Sequence, residues 1–380
     1  MTATGPRYLE ALTGSPVAGD AEPLIGWIEG EGIGPELMVA CRTVLDAVEA
    51  EGPVRFRHRQ GGAIGKLALA ESGRALTEEV AGFCRELFAD NGALLCGPGG
   101  ERFVYDLRRQ FELYCKLVPL RPFVALADTG PLRPEAVRDV DILLVRENLG
   151  GLYQGEFSVE KSGGELEEAR HSFGYTRRQV ADILFSAAQL ATARRGALCV
   201  VTKPGGAPSV SRLWATEARR VAATEGVALS MLEVDNAGYQ LVANARAFDV
   251  VVAPNMFGDM LGDGAALLLA SRGMSYSANF SHAGHAVYQT GHGAAHDLAG
   301  TDRANPLGQL QAMAMMLHES FGFVQSAEAI LTAIDATLAA GLRTPDIATP
   351  GCQVVGTQAM ARAVAERIPK RESTRLRTSA

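Results

Sequence analysis

The sequence predicts an α/β fold, because short apolar runs of strand length alternate along the chain with longer stretches of helical periodicity. The apolar runs at 93–96, 142–145 and 250–252 are followed closely by Gly, Arg or Pro and are typical of buried strands. With 380 residues, the chain is longer than one hydrophobic core usually holds, so we expect two domains.

The composition indicates a folded protein without a nucleic-acid or membrane partner. Hydrophobic residues make up 47% of the chain, and the net charge of −7 argues against binding to nucleic acid or to an anionic membrane. No segment resembles a signal peptide, and no apolar run reaches membrane-spanning length. The six cysteines are scattered without a C-x-x-C pair, so we expect buried free thiols and a cytoplasmic location.

The N-terminal part has the outline of a nucleotide-binding unit but lacks its sequence motifs. Residues 1–23 are rich in Gly, Pro, Ala and Thr and are predicted to form a loose arm. A short strand at 26–28 leads through a glycine turn into a helix at 37–50. Pro35 occupies the third glycine position of a G-x-G-x-x-G motif, and residues 61–66 do not form a P-loop. A Rossmann fold is therefore not expected.

Three arginines lie at the ends of predicted elements in one half of the chain. Arg108 belongs to a predicted helix at 107–114, Arg121 follows that segment, and Arg146 closes the strand at 142–145. A guanidinium group matches a carboxylate with two hydrogen bonds and stays charged. Each arginine alone is also compatible with a surface salt bridge, whereas the three together indicate a carboxylate site.

A lysine follows another predicted strand and carries two possible interpretations. Lys203 comes directly after the strand at 198–202 and precedes the Gly/Pro loop at 204–208. It is either a surface residue or a buried amine whose pKa is lowered toward that of a general base, since burial disfavours the ammonium form. Asp235 stands at the end of a further predicted strand.

The segment 248–264 carries a pair of candidate metal ligands. Its apolar run gives way to a helical pattern after Asn255, in which Asp259 and Asp263 are four residues apart. That spacing places both carboxylates on one face of a helix. Adjacent carboxylates repel unless a cation or a hydrogen-bond donor neutralises them, and hard divalent cations prefer oxygen ligands. For the pair alone, an exposed helix face or Asp259 as a helix cap is the alternative interpretation.

A loop of small residues at 291–300 is able to approach a ligand closely. His292 and His296 lie in it, but no H-E-x-x-H motif is present and the loop is rich in glycine, so zinc is not expected. The Met- and Ala-rich stretch 310–317 is predicted to be a core helix, and residues 370–380 a frayed basic tail.

Taken together, these motifs resemble the isocitrate/isopropylmalate dehydrogenase family of metal-dependent β-decarboxylating dehydrogenases. The resemblance runs from about 26 to 322 and is strongest at 248–263, with the pattern F-D…N-x-F-G-D-x-L-x-D. Supporting matches are G-I-G-P-E at 32–36, R-E-N…Y-x-G at 146–155 and H-G-x-A-x-D-x-A-G at 292–300.

The resemblance implies a two-domain isopropylmalate dehydrogenase-like fold with a shared parallel and mixed sheet core. Residues 1–98 and 255–380 would form a discontinuous, larger cofactor-binding domain. Residues 99–254 would form a smaller domain with the substrate arginines and the dimer contacts. The resemblance also implies a homodimer whose active sites are shared between subunits, and a cofactor site without the G-x-G-x-x-G motif.

The activity that the resemblance implies is NAD-dependent oxidative decarboxylation of a 3-carboxy-2-hydroxy acid, with Mg²⁺ or Mn²⁺ as the metal. Hydride transfer oxidises C2 of this hydroxy di- or tricarboxylate, and the resulting β-keto acid then loses CO2. The metal acidifies the hydroxyl group and later stabilises the enolate charge.

Residue roles follow from the same resemblance. The metal ligands would be Asp259 and Asp263 of one subunit and Asp235 of the other. Lys203 matches the general base for the hydroxyl group, acting from the neighbouring subunit, and Tyr153 matches the acid that protonates the enolate. The residues implied in substrate binding are Arg108, Arg121, Arg146, Val104 and Tyr105. The residues implied in cofactor binding are His292, Gly293, Ala295, Asp297 and Asn305.

One of these cofactor residues favours NAD over NADP. Asp297 stands where NAD-preferring members keep an acid that can bond the ribose hydroxyls and would repel a 2′-phosphate.

Several positions depart from the family's pattern. Lys116 replaces an Asn, and the spacing from there to Arg121 is longer than usual. After Lys203, Pro204 and the glycine that follows replace an Ala-Asn pair, and Gln289 replaces an acidic residue. The segment at 101–107, which by the resemblance selects the C3 substituent, matches neither the isocitrate nor the isopropylmalate pattern well. We therefore expect a substrate outside central metabolism, or a malate- or tartrate-like acid.

Two other functions are kept as alternatives. The first is a D-malate- or tartrate-type dehydrogenase in which decarboxylation is partial or absent. The second is a non-catalytic regulatory subunit of the same fold, motivated by the altered loops at Lys116 and Pro204. Against the second stand Lys203, Tyr153 and the three aspartates, which a non-catalytic subunit would be expected to lose first.

Overall fold

The computed structural model of the chain describes residues 7–13, 22–52 and 54–370. The strands among these residues are β1 (Leu24–Ile28), β2 (Arg57–Gln60), β3 (Ala93–Cys96), β4 (Cys115–Leu120), β5 (Ile142–Glu147), β6 (Glu156–Ser162), β7 (Glu165–Ser172), β8 (Ala197–Thr202), β9 (Ala228–Glu233), β10 (Val250–Ala253), β11 (Tyr276–Phe280), β12 (Ala286–Thr290), β13 (Leu342–Arg343) and β14 (Gln353–Val354).

Helices separate most of these strands along the chain, as the sequence predicts. They are α1 (Tyr8–Thr13), α2 (Gly34–Glu51), α3 (Gly65–Ser72), α4 (Glu78–Ala89), α5 (Phe103–Gln110), α6 (Pro134–Val137), α7 (Arg177–Thr192), α8 (Pro208–Glu225), α9 (Val234–Ala243), α10 (Asn255–Ala265), α11 (Leu307–Glu319), α12 (Val324–Ala339) and α13 (Thr357–Ala365).

Ten strands form one mixed sheet in the order β2-β1-β3-β12-β11-β4-β5-β10-β8-β9. The first four strands in this order run parallel to one another, and so do the last four. Between them, β11 and β4 make antiparallel pairs, so the two parallel groups run in opposite directions. The fold is thus α/β with a shared mixed sheet, as expected, and not a Rossmann fold. The boundary between the two domains stays a prediction.

Several strands of the two parallel groups are buried along their whole length. All residues of β5 and β10 are buried, and so are all residues of β1 and β3. Burial of consecutive residues means that both faces of the sheet are covered at these strands. This explains why their sequences are continuous apolar runs and do not alternate with polar residues.

The Met- and Ala-rich stretch forms α11, and every residue of this helix is buried. The helix lies against β11, β12, α2 and α12. The prediction of a core helix at 310–317 is confirmed, and the helix extends beyond that stretch at both ends.

The strands β6 and β7 form a separate antiparallel hairpin in which every residue is exposed. The exposed side chains include the apolar residues Phe157, Val159 and Leu166. An isolated two-stranded hairpin is only marginally stable in water, and clustered exposed apolar side chains are typical of contact surfaces.

Two local predictions need correction. The helix predicted at 107–114 is α5, which ends at Gln110, because Glu112 adopts a left-handed conformation with φ of +51°. The loose arm predicted at 1–23 contains α1, a short helix held by its buried Leu9 and Leu12. The rest of that arm up to residue 21, and the tail beyond Lys370, lie outside the described residues.

The prediction of buried free thiols agrees with the structure. All six cysteines are free; five are buried and Cys352 is partly buried. None of the helices in the described part of the chain combines the length and the apolar character needed to cross a membrane.

Candidate active site

Arg146 lies at the carboxyl end of β5 with only 2% of its surface exposed. Its Nη2 and Nε donate to Oδ1 of Asn255 at 2.8 and 3.1 Å, and its Nη1 donates to the carboxylate of Asp259. Gly258 permits this approach, since a Cβ atom there would lie 2.9 Å from the Arg146 side chain. The start of α10 is thereby fixed against the end of β5.

The helix α10 brings Asp259 and Asp263 to one cavity of about 220 Å³. Burial tends to raise the pKa of the Asp259 carboxyl, but the positive charges around it, chiefly Arg146, outweigh burial and hold the pKa below its usual value. Oδ2 of Asp263 forms an ion pair with Nη2 of Arg272 at 3.0 Å. Both aspartates are therefore charged groups that face the cavity.

Arg108 lines the same cavity from α5 and is 5% exposed. Its Nε has no hydrogen-bond partner among the described residues. Burial, and then the positive charge of Arg146, lower the pKa of Arg108 to about 9. A buried N–H group without a hydrogen-bond partner is costly, so this residue is suited to receive an anion.

Lys116 is the residue of this cavity that sequence reasoning did not place in the site. It lies in β4 directly opposite Arg146 of β5, and residues paired in this way in an antiparallel sheet point to the same face. Burial, Arg108 and Arg146 lower the pKa of Lys116 well below its usual value. We call the space lined by Arg108, Lys116, Arg146, Asp259 and Asp263 the cationic cavity.

Arg121 does not belong to the cationic cavity, which corrects the prediction of three converging arginines. It follows β4, and its Nε lies 3.5 Å from Oδ1 of Asp141, just before β5 begins. Five residues of strand separate it from Lys116, a distance of roughly 17 Å. The predicted segment is an antiparallel strand, so its start and its end reach opposite edges of the sheet.

Tyr153 lies next to residues of the cationic cavity, in a short 3₁₀ helix (Leu152–Gln154). Its ring lies 5.5 Å from the guanidinium carbon of Arg146 and 5.4 Å from the ring of Tyr105. Burial, together with the charge of Asp259, raises the pKa of the Tyr153 hydroxyl to about 12. The phenol therefore keeps its proton at neutral pH. Tyr105 and Val104 line the cavity beside it.

Lys203 and Asp235 form a second group, separate from the cationic cavity. Lys203 follows β8, and its Nζ lies 2.6 Å from Oδ1 of Asp235 and 3.0 Å from Oε2 of Glu233. These hydrogen bonds raise the pKa of Lys203. The Lys203 side chain is 34% exposed, so within one chain it is the surface residue of the two predicted alternatives. We call Lys203, Glu233 and Asp235 the lysine–carboxylate group.

Most of the predicted cofactor residues line a second cavity of about 420 Å³, next to the cationic cavity. Arg272, His292 and Gly293 line both cavities. Ala295 and Asn305 also line the second cavity. The loop at 291–300 therefore lies next to the candidate metal and substrate residues, because the two cavities share lining residues.

Asp297 and Asn305 differ in their surroundings. Asp297 is exposed and does not line the second cavity. Nδ2 of Asn305 donates to Oδ2 of Asp346 at 3.0 Å, and both residues line the second cavity.

Neither group holds a complete metal site by itself. Among the described residues of one chain, no cluster of three or more His, Cys, Asp or Glu side chains is arranged to bind a metal. Asp259 and Asp263 offer the oxygen donors that Mg²⁺ and Mn²⁺ prefer, but they need a further ligand from elsewhere.

Known proteins with similar sequences and structures share this architecture. Residues 24–364 match the model of the family described as isocitrate/isopropylmalate dehydrogenase. The 3-isopropylmalate dehydrogenase of Halalkalibacterium halodurans is 37% identical over 360 residues, covering 91% of this chain and 98% of that protein. The 3-isopropylmalate dehydrogenase of Bacillus subtilis is 37% identical over 341 residues, covering 85% and 91%. The crystal structure of isocitrate dehydrogenase from Methylococcus capsulatus superposes with a TM-score of 0.80 at 30% identity, covering 91% and 99%.

Proposed function

We infer that this chain, which belongs to the isocitrate/isopropylmalate dehydrogenase family, uses NAD to oxidise a 3-carboxy-2-hydroxy acid of the 3-substituted malate type. Membership makes it a metal-dependent decarboxylating dehydrogenase. The observation that carries the proposal is the cationic cavity, in which two arginines face two aspartates. The substrate binds a metal through its hydroxy acid and carries a second carboxylate nearby. It therefore needs aspartates to hold the metal and arginines to bind that carboxylate, all within the length of one small molecule.

The carboxylate that leaves as CO2 is the proposed partner of Arg108 and Arg146. Arg108 has a buried Nε without a partner. Arg146 is oriented by Asn255 and Asp259, and each of its two terminal nitrogens keeps a further N–H group for a carboxylate. Bidentate guanidinium contacts hold a carboxylate in a fixed plane. Fixing that plane orients the bond to be broken relative to the carbonyl group that forms at C2.

The donor set of the site fits a hard divalent cation, Mg²⁺ or Mn²⁺. Asp259 and Asp263 would hold it together with Asp235 of the partner subunit, because one chain supplies too few ligands. When bound, the metal supplies Lewis-acid polarisation of the oxygen at C2.

Two residues have the properties needed to move protons in this reaction. Lys203 would accept the proton of the substrate hydroxyl group as the hydride leaves C2 for the nicotinamide. Tyr153 would return a proton to C3 after CO2 has left, and its pKa of about 12 keeps that proton in place until then. Lys203 donates a hydrogen bond to Asp235, so the partner subunit would supply the base and the third metal ligand together.

A homodimer with shared sites is supported by the apolar surface of the chain. The exposed hairpin of β6 and β7 carries Phe157, Val159 and Leu166, and Tyr239 of α9 and Met260 of α10 are 70% and 63% exposed. Contact surfaces of this kind are expected where a second copy packs. Met260 adjoins Asp259, so a subunit packed there would also approach the metal ligands.

NAD is the proposed cofactor, bound in the second cavity along the loop at 291–300. The small residues Gly293 and Ala295 line this cavity, and Asp297 would accept hydrogen bonds from the ribose. The same carboxylate would repel a 2′-phosphate. A cytoplasmic location is part of the proposal, because all six cysteines are free thiols.

The first experiment measures NADH formation and CO2 release together. The acids tested would be D-malate, tartrate, isopropylmalate, isocitrate and homoisocitrate, first with Mn²⁺ and then with excess chelator. We expect metal-dependent formation of NADH and CO2 in equal amounts from at least one acid. NADH without CO2 would identify a D-malate- or tartrate-type dehydrogenase. Failure to bind either NAD or Mn²⁺ would identify a regulatory subunit.

A further inference from the structure

One charged residue of the cationic cavity has no role in the proposed function. Lys116 lines the cavity beside Arg108 and Arg146, which suffice for one carboxylate. Its amine makes no hydrogen bond or ion pair within the described ranges of the chain. The nearest candidates for pairing are taken, because Asp259 bonds to Arg146 and Asp263 to Arg272.

The charges around the cavity leave an excess of positive charge. Its lining contains four cationic side chains, those of Arg108, Lys116, Arg146 and Arg272, and only two carboxylates. A divalent metal held by the two carboxylates would add to this excess. The lysine–carboxylate group of a partner would change it little, because it brings both signs of charge. A cavity of this charge therefore favours a substrate with more than two carboxylates.

The position of Lys116 indicates which part of the substrate it meets. Across the sheet, Arg146 of β5 is paired with Lys116 of β4, and Lys116 is paired in turn with Asn279 of β11. The cavity reaches the buried Gln289 of β12 in the same direction. This floor is polar, so an apolar substituent placed on it would desolvate the Lys116 amine without compensation.

We propose that Lys116 binds an additional carboxylate on the C3 substituent of the substrate and thereby selects tricarboxylates over malates with an apolar C3 substituent or none. This inference rests on the proposed function, because C3 is defined by the reaction. It assigns Lys116 to specificity and leaves the steps of the reaction to other residues.

The test compares three variants with the wild-type enzyme. Lys116→Met removes the charge at similar length, Lys116→Arg keeps it, and Lys66→Met makes the same change at an exposed lysine of α3. The ligands are isocitrate as a tricarboxylate, isopropylmalate as an apolar malate and D-malate without a substituent. Calorimetry measures Kd with Mn²⁺ and no NAD, and steady-state kinetics measures KM and kcat.

We expect Lys116→Met to raise the Kd for the tricarboxylate by about 10- to 100-fold, the range for loss of a charged hydrogen bond. The Kd for D-malate and isopropylmalate should change by less than about threefold. Lys116→Arg should recover most of the lost affinity, and Lys66→Met should change nothing. Wild-type enzyme should bind the tricarboxylate most tightly.

Two results would overturn the inference. An equal loss of affinity for all three acids in Lys116→Met would show that Lys116 acts on the part that the three acids share, or on the structure, and not on the C3 substituent. Unchanged affinity for the tricarboxylate would show that Lys116 does not contact the substrate. The proposed function fails separately, through absent NADH formation by the wild-type enzyme, and the calorimetric comparison tests Lys116 in either case.

Discussion

The cationic cavity and the lysine–carboxylate group use the same kinds of charged side chain in opposite settings. In the cavity, Arg108 and Arg146 are 5% and 2% exposed, whereas Lys203 and Asp235 have side chains that are 34% and 69% exposed. Nε of Arg108 lacks a partner among the described residues, while Lys203 has two carboxylates within 3.0 Å. Positive charge is thus in excess in the cavity, whereas the exposed lysine is paired with two carboxylates.

This difference shows that the cationic cavity is preorganised within one chain, whereas the lysine–carboxylate group is not. Charges held in a buried cavity without full compensation are preorganised for an anion, because the cost of their desolvation is met during folding. Charges on a surface are solvated and exchange partners freely. The lysine–carboxylate group therefore gains catalytic properties only where another surface buries it, which the proposed dimer supplies.

The largest expected effect is that of Lys203→Met. If Lys203 is the general base, kcat should fall by about 1,000-fold, within the range for loss of acid–base catalysis. Calorimetric binding of Mn²⁺ and substrate should persist, because Asp235 keeps its carboxylate. Lys66→Met is the matched control and should retain full turnover. Full turnover by Lys203→Met would show that Lys203 is not the general base and that the lysine–carboxylate group has no catalytic role.

Asp259→Asn tests the proposed metal-binding part of the cationic cavity. Loss of groups that merely support metal ligands lowers metal affinity by about 10- to 100-fold, so loss of a ligand should lower Mn²⁺ affinity by about 100-fold. Electron paramagnetic resonance titration of free Mn²⁺ measures this loss without turnover. Asp297→Asn makes the same change on the exposed loop at 291–300 and should leave Mn²⁺ affinity intact. Equal affinities for both variants would place the metal elsewhere.

The sequence alone predicts the parts of the site that lie within single segments. The i,i+4 spacing of Asp259 and Asp263 follows from helix geometry, and Arg146 follows from the apolar run before it. The family resemblance, confirmed by the match of residues 24–364, supplies the order of the elements.

What the sequence alone could not supply depends on strand pairing across long chain separations. Lys116 belongs to the site and Arg121 does not, because β4 pairs antiparallel with β5 in one particular register. A polar residue in an otherwise apolar strand, the replacement of an Asn by Lys116, was the available signal. Tertiary contacts also decide α1, whose six residues form a helix only because Leu9 and Leu12 are buried.

Burial at the end of β5 also predicts a pH dependence of stability. Glu147 is 1% exposed, and burial raises its pKa to about 7, against hydrogen bonds from the amides of Leu149 and Gly150. The folded pKa is higher than the unfolded one, so the folded state binds the proton more tightly. The resulting stability is fully present below about pH 4.5 and is lost as the pH rises through about 7.

Urea unfolding at pH 5 and pH 8 measures this effect. The free energy of unfolding should fall by roughly 2 kcal/mol more in the wild type than in Glu147→Gln, which cannot titrate. Identical pH dependence in the two proteins would show that the Glu147 carboxyl is not perturbed by burial. The comparison with the variant cancels the contribution of all other groups.

The smallest effect is expected for Glu233→Gln, which tests the exposed side. Glu233 accepts a hydrogen bond from Lys203 at 3.0 Å, but its side chain is 51% exposed. Glu233 is neither a proposed metal ligand nor the proposed base, and ion pairs this exposed within one chain contribute little, so kcat should change by less than about fivefold and the thermal midpoint should not move measurably. Arg146→Gln, at the buried end of β5, is the contrasting variant and should lower both kcat and the thermal midpoint.

A large loss of turnover in Glu233→Gln alone would mean that the lysine–carboxylate group is as preorganised as the cationic cavity. The distinction between a buried half completed by folding and an exposed half completed by the partner subunit would then be wrong.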